Sequence, residues 1–157
     1  MSKAQFKALV KGVVDEIGGR AVDGALQDFL NQRFPADGAR FQAIEAMVRQ
    51  GVAEGWMCER EYGAIRFGRV IDSDPELAGH SIDVVHMDNV VGPHHRHPLG
   101  EIDMVMPVDA GARFDGTSRG WKVYGPDSAH CPTVSDGRAY VLYLLPDGQI
   151  DFTGKKK

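Results

Sequence analysis

The chain has 157 residues, the size of one domain, and its 43% apolar and 25% charged residues are the balance of a soluble globular protein. Its 22 acidic against 18 basic residues give a formal net charge of −4, with three of the basic residues in the terminal run Lys155, Lys156, Lys157. So acidic a body argues against nucleic-acid binding, which needs a basic face to displace counterions, and no apolar run reaches the ~20 residues of a membrane span.

The first third reads as helical. Phe6, Leu9, Val10, Val13, Val14 and Ile17 form one stripe, Ser2 and Gln5 have capping-box spacing, and Gly18-Gly19 stops the helix. Leu26, Phe29 and Leu30 mark a second short helix ending at Phe34-Pro35. Phe41, Ile44, Met47, Val48 and Val52 mark a third, running to about Gly55. Such stripes face a core, so a small helical layer (residues 1–58) should pack on the remainder of the chain.

From residue 59 to 154 the pattern changes to short β-type runs broken by Gly, Pro and Asp. Candidate strands are Ala64–Val70, Ser81–Met87, Ile102–Val108, Trp121–Tyr124 and Ala139–Leu145. Turn signals at Asp115-Gly116, Asp136-Gly137 and Asp147-Gly148 predict antiparallel hairpins closing into a sandwich or barrel. The expected fold class is therefore α+β, mainly β, in one domain, with a basic tail at 155–157. The N-terminus lacks the continuous apolar stretch of a secretory signal. Two cysteines, Cys58 and Cys131, are too few for a disulfide framework, so both are expected as reduced thiols in a cytoplasm.

The chemistry concentrates in Gly92–Val108, GPHHRHPLGEIDMVMPV. Five of the six histidines lie between residues 80 and 97. His95, His97 and Glu101 read H-x-H-x-x-x-E. Two histidines two apart on a strand share a face, and a carboxylate four residues on, past a Pro-Leu-Gly turn, folds back beside them. Such a set suits Fe, Mn, Ni, Zn or Cu and leaves open positions for a substrate. His130, after a Gly-Pro turn in GWKVYGPDSAHCP, is placed to reach the same metal from the opposite side of a small barrel. On a strand Ile102–Val108, Asp103 shares the face of Glu101. The bland alternative is that HHRH is a solvated turn.

H-x-H-x-x-x-E followed by Gly120, Pro126, Ser128 and His130 resembles the two motifs of the cupin superfamily, an antiparallel β-barrel or jelly roll. The resemblance implies His95, His97, Glu101 and His130 as metal ligands. Ser128 replaces the usual glycine, and His130 comes one residue earlier than the common pattern, where Cys131 stands. The phrases EGWMCERE, GPHHRHPLGEIDMVMP, ARFDG, PDSAHCPTV and LYLLPDGQIDFTGK further resemble the small bacterial 4-hydroxylaminobenzoate lyase family across nearly the whole chain. That likeness implies conversion of 4-hydroxylaminobenzoate to protocatechuate (3,4-dihydroxybenzoate) and ammonia, a step of 4-nitrobenzoate breakdown. For that chemistry the candidate catalytic groups are Glu101 and His130, each as ligand or acid/base, and Asp103, which lines the same cavity or orients a ligand histidine.

No flavin or nicotinamide is expected, since the chain has no G-x-G-x-x-G fingerprint or phosphate loop. The small aromatic acid calls for a cation in an apolar pocket. Arg66 and Arg69, on a predicted strand, stand out among Arg96, Arg113, Arg119, Lys122 and Arg138. Arg96 alternates with the motif histidines and should point away. Tyr124, Tyr140 and Tyr143 are candidates to stack on or hydrogen-bond the ring. Cupins commonly dimerise through sheet edges, so a homodimer is expected. The alternatives are a cupin dioxygenase of a catechol-like substrate, a non-enzymatic small-molecule-binding cupin and a sugar-isomerase-type cupin.

Overall fold

The computed structural model describes residues 2–155; of the expected basic tail, Lys156 and Lys157 lie outside the described residues. The three helices form where the apolar stripes place them. Helix α1 (Lys3–Ile17) begins with the expected capping box, Ser2 Oγ accepting from Gln5 N and Gln5 Oε1 from Ser2 N, and ends at Gly18. Helix α2 (Gly24–Arg33) is capped by Asp23, and α3 (Ala39–Glu54) ends at Gly55 in the left-handed conformation. Among the described residues no helix is long and apolar enough to cross a membrane.

Ten strands follow among the described residues: β1 (Arg60–Tyr62), β2 (Ile65–Ile71), β3 (His80–Val91), β4 (His95–His97), β5 (Glu101–Pro107), β6 (Arg113–Phe114), β7 (Gly120–Tyr124), β8 (Ser128–His130), β9 (Thr133–Pro146) and β10 (Asp151–Phe152). All pairings are antiparallel. They build a seven-stranded sheet in the order β1-β2-β3-β9-β5-β7, with β6 also on β9, and a three-stranded sheet in the order β10-β4-β8. Hydrogen bonding among the described residues thus makes two sheets, the jelly-roll form of the expected fold, rather than one continuous ring. The Asp136-Gly137 signal is not a hairpin turn. It lies within β9, where the pairing with β3 slips between Asp88 and Val90, so it bends a long strand as a bulge does.

Alternation on the large sheet divides the core. Ile82, Val84, Ile102, Met104, Leu142 and Leu144 pack under the helices, while Val85, Met87, Val105, Val141, Tyr143 and Leu145 face the interior between the sheets. Strand β5 is buried along its whole length, since helices cover one face and the small sheet lies over the other. Helix α2 also covers the edge strand β7. Asn31 Nδ2 donates to Trp121 O at 3.1 Å and Asn31 Oδ1 accepts from Trp121 N at 2.9 Å, while Gln27 Oε1 accepts from Val123 N. An unpaired edge is thereby closed.

Two outcomes are expected. Asn31→Ala strands two backbone groups of Trp121 and lowers stability by about 1–3 kcal/mol in urea unfolding. Cys58 is 3% exposed, its thiol points at Val84 O, and burial pushes its pKa up to about 11, against a small opposing pull from Arg66. At pH 8 the native protein should therefore react with a disulfide reagent at the half-exposed Cys131 only, and at both cysteines once denatured.

Candidate metal centre

Strand β4 turns His95 and His97 to one face, both buried, while Arg96 between them points outward to Asp127 and Asp151. A tight turn comes next, closed by Gly100 N donating to His97 O. Gly100 has φ +96, and a Cβ there would sit 2.8 Å from Tyr124 O and 2.7 Å from Val22 Cγ1. Only glycine fits the turn that brings Glu101, the first residue of β5, back beside the histidines. His130 arrives from β8, the hydrogen-bonded neighbour of β4, directly across from His95. It therefore stands beside the H-x-H pair on the same small sheet, not on the opposite side of a barrel.

The donor atoms converge. Glu101 Oε1 lies 3.5 Å from His95 Nε2, and Glu101 Oε2 lies 3.3 Å from His97 Nε2 and 3.6 Å from His130 Nε2. His130 Nε2 is 3.1 Å from His95 Nε2, and one ligand atom from each of the four residues falls within 4.8 Å of the others. Donors each about 2.1 Å from a common centre stand about 3.0–3.5 Å apart, so this spacing suits one metal ion. The hydrogen bonding agrees: His97 Nε2 and both Glu101 oxygens are buried without a hydrogen-bond partner. The residues fit a divalent metal.

Partners behind the cluster fix the rings. Ser128 Oγ donates to Gly125 O at 2.6 Å, so it accepts from His97 Nδ1 at 2.9 Å, which leaves the lone pair of His97 Nε2 free to bind a metal. His130 Nδ1 lies 2.6 Å from Asp115 Oδ2; the same carboxylate accepts from the Tyr124 hydroxyl and from Thr133 N. In the sequence Asp115 is only half of an Asp-Gly turn, and nothing in its spacing marks it as the carboxylate that aims His130. Ser128, a departure from the cupin pattern, here sets the ring of His97.

Electrostatics reflect burial and these contacts. Burial opposes the charge of Glu101, but the imidazoles of His130, His95 and His97 outweigh it and hold the carboxyl well below its ordinary range. Asp103 lies on the same strand face, fully buried, with neither oxygen hydrogen-bonded. Burial and then the Glu101 charge push it well above the ordinary carboxylate range. For His130, burial works against protonation, yet Asp115 and Glu101 raise its pKa to about 9. Burial, then Asp115, raises the Tyr124 phenol; burial, then Glu101, raises that of Tyr143.

A cavity of about 650 Å³ opens beside His95, walled by Ile65, Phe67, Val85 and Met87 and bordered by Tyr143 and Arg69. The remaining candidates divide by strand face. Both arginines are exposed, but Arg69 is on the face of β2 that borders the cavity, whereas Arg66 is on the opposite face. Tyr124 stacks near the cluster, its ring 4.4 Å from that of His130. Tyr140 packs with the helix-side core and against His86, away from the cavity, while Tyr143, three residues on, faces it. Cys131 is not in the cluster and borders a smaller surface pocket with His94 and Lys155.

The model of the family described as PnbB, 4-hydroxylaminobenzoate lyase, matches residues 8–152. Two relatives named 4-hydroxylaminobenzoate lyase are similar over most of both chains. The one from Nocardioides sp. (strain LMS-CY) is 32% identical over 148 residues, covering 88% of this chain and 88% of its own. The one from Pseudomonas putida is 30% identical over 154 residues, covering 87% and 88%. Among solved structures, an RmlC-like cupin protein from Ralstonia eutropha JMP134 aligns with TM-score 0.42 and 15% identity, over 60% of this chain and 63% of its own.

His95→Ala and His97→Ala should each abolish metal retention, read by elemental analysis of purified protein, while circular dichroism stays that of the parent. Asp115→Asn, which leaves every donor in place, should weaken metal affinity about 10- to 100-fold.

Proposed function

This chain belongs to the 4-hydroxylaminobenzoate lyase family, and on that premise we propose that it converts 4-hydroxylaminobenzoate and water to 3,4-dihydroxybenzoate and ammonia. The observation that carries the reading is the position of the His/Glu cluster, with His95 shared between the candidate metal centre and an apolar cavity large enough for one aromatic ring.

The reaction balances without an external oxidant. The N–O bond breaks, oxygen adds to the ring carbon ortho to nitrogen, and hydrolysis of the resulting imine exchanges C–N for C–O, with one water consumed overall. A divalent metal held by His95, His97, His130 and Glu101 would supply Lewis acidity and a water of lowered pKa.

The chain's own groups do the rest. Ser128 and Asp115 keep the Nε2 atoms of His97 and His130 turned inward. Asp103, buried on the same strand face as Glu101, is the carboxyl group that would hold a proton beside the cluster. The aliphatic walls at Ile65, Val85 and Met87 keep bulk water from the ring, and Tyr143, 6.4 Å from His95 between ring centroids, bounds the reacting end.

Anaerobic incubation with 4-hydroxylaminobenzoate should give ammonia and 3,4-dihydroxybenzoate in equal amounts, and prior chelation should stop both. Product that requires oxygen would overturn the lyase reading in favour of an oxygen-using enzyme. Product that survives complete metal removal would make Glu101 and the histidines acid–base groups instead of ligands.

A further inference from the structure

The cavity has two chemically different ends. One is the cluster side, at His95 and Tyr143; the other is Arg69 on β2. Register ties them together. Arg69 pairs with Asp83 across β2 and β3, Asp83 with Tyr143 across β3 and β9, Tyr143 with Asp103 across β9 and β5, and Asp103 with Lys122 across β5 and β7. The result is a transverse row of polar side chains in an otherwise apolar interior. Two strand spacings, about 10 Å of backbone, separate Arg69 from Tyr143. That span suits a para-substituted benzoate with a polar group at each end.

Arg69 is held in a fixed pose. Its Nε donates to Asp83 Oδ1 at 2.8 Å, and its Nη2 to Asp83 Oδ2 at 3.3 Å and to Gly148 O at 3.0 Å. Gly148 has φ +66, and a Cβ there would lie 2.9 Å from Arg69 Nη1, so a larger residue would push the guanidinium from this pose. Nη1 itself has no hydrogen-bond partner among the described residues. The Asp83 carboxylate occupies the Nε edge, which leaves the Nη1 donors for a ligand. Arg60 also borders the cavity, but from the exposed edge strand β1, where no ion pair is found among the described residues to hold it.

We propose that Arg69 anchors the carboxylate of the aromatic substrate through Nη1, with Asp83 as its positioning residue, so that the opposite, para substituent is delivered to the cluster beside His95. The inference rests on the aromatic-acid reading of the substrate. It uses what a guanidinium does well: a planar, permanently charged donor array directed at a carboxylate, here at the solvent-exposed mouth of an apolar cavity.

The test measures binding as well as turnover. Titration calorimetry with 4-aminobenzoate, which has no N–O bond to break, is compared with aniline, which has no carboxylate. Arg69→Gln should weaken 4-aminobenzoate binding about 10- to 100-fold and leave aniline unchanged; Arg69→Lys should recover part of the loss, and Arg60→Gln should stay within about twofold of the parent. In turnover of 4-hydroxylaminobenzoate, Arg69→Gln and Asp83→Asn should raise KM far more than they lower kcat. Thermal melting of each variant separates lost binding from lost fold.

Undiminished 4-aminobenzoate affinity in folded Arg69→Gln, an equal loss with aniline, an equal loss in Arg60→Gln, or no 4-aminobenzoate binding by the parent would each overturn the anchor. If 4-hydroxylaminobenzoate is not turned over but Arg69→Gln still loses 4-aminobenzoate, the anchor stands and the lyase reading fails.

Discussion

A carboxylate removed from water without a hydrogen bond is costly unless opposite charge or a metal faces it. Glu101 is wholly buried, both its oxygens are unpartnered, and three imidazole nitrogens stand 3.3–3.6 Å away. Much of the surrounding structure exists to make that arrangement possible. The small sheet places three histidines on one inward face, the Gly100 turn returns the chain at once, and β5 begins on the carboxylate itself. A slip of one residue in β4 against β8 would turn His95 and His97 out to solvent and Arg96 inward.

Strand β5 joins the two halves of the molecule. Ile102, Met104 and Met106 enter the helix-side core, and Glu101, Asp103 and Val105 enter the interior. The helical third is therefore part of the conditions for the site. It shields the outer face of the strand that carries Glu101, and through Asn31 and Gln27 it closes the free edge of β7, which leads into the loop before His130. Without that cover, β5 would present three large apolar side chains to water.

Much of this was legible in the sequence because it depends on local periodicity. The stripes of α1 and α3, the capping box at Ser2 and the stop at Gly55 are properties of neighbouring residues, and so is the shared face of His95 and His97. What escaped depends on non-local pairing. Period two makes Tyr140 and Tyr143 face opposite ways, as it does Arg66 and Arg69, but only the placement of helices and small sheet decides which member of each pair is inside. Asp115 reaches His130 across 15 residues after a turn in which aspartate is ordinary, and the same Asp-Gly signal at Asp136 marks a bulge in a single long strand.

The three histidines are not held alike, and the difference tracks the cavity. His97 is oriented by Ser128 and His130 by Asp115, each through Nδ1. His95 Nδ1 is buried with no partner, and its ring is set by packing among His97, His130, Tyr143 and Phe152, with centroids 4.7–6.4 Å away. It is also the histidine that borders the cavity. A hydrogen bond fixes a ring in one direction, whereas packing yields to a change in what fills the neighbouring space. Two histidines are thus oriented through Nδ1 beside Glu101, and His95, oriented by packing instead, is the member of the cluster that borders the cavity. Phe152, directly across from His95 on β10 and largely exposed, is the part of that packing nearest solvent, so the ring that reaches the cavity is also the one whose packing is least enclosed.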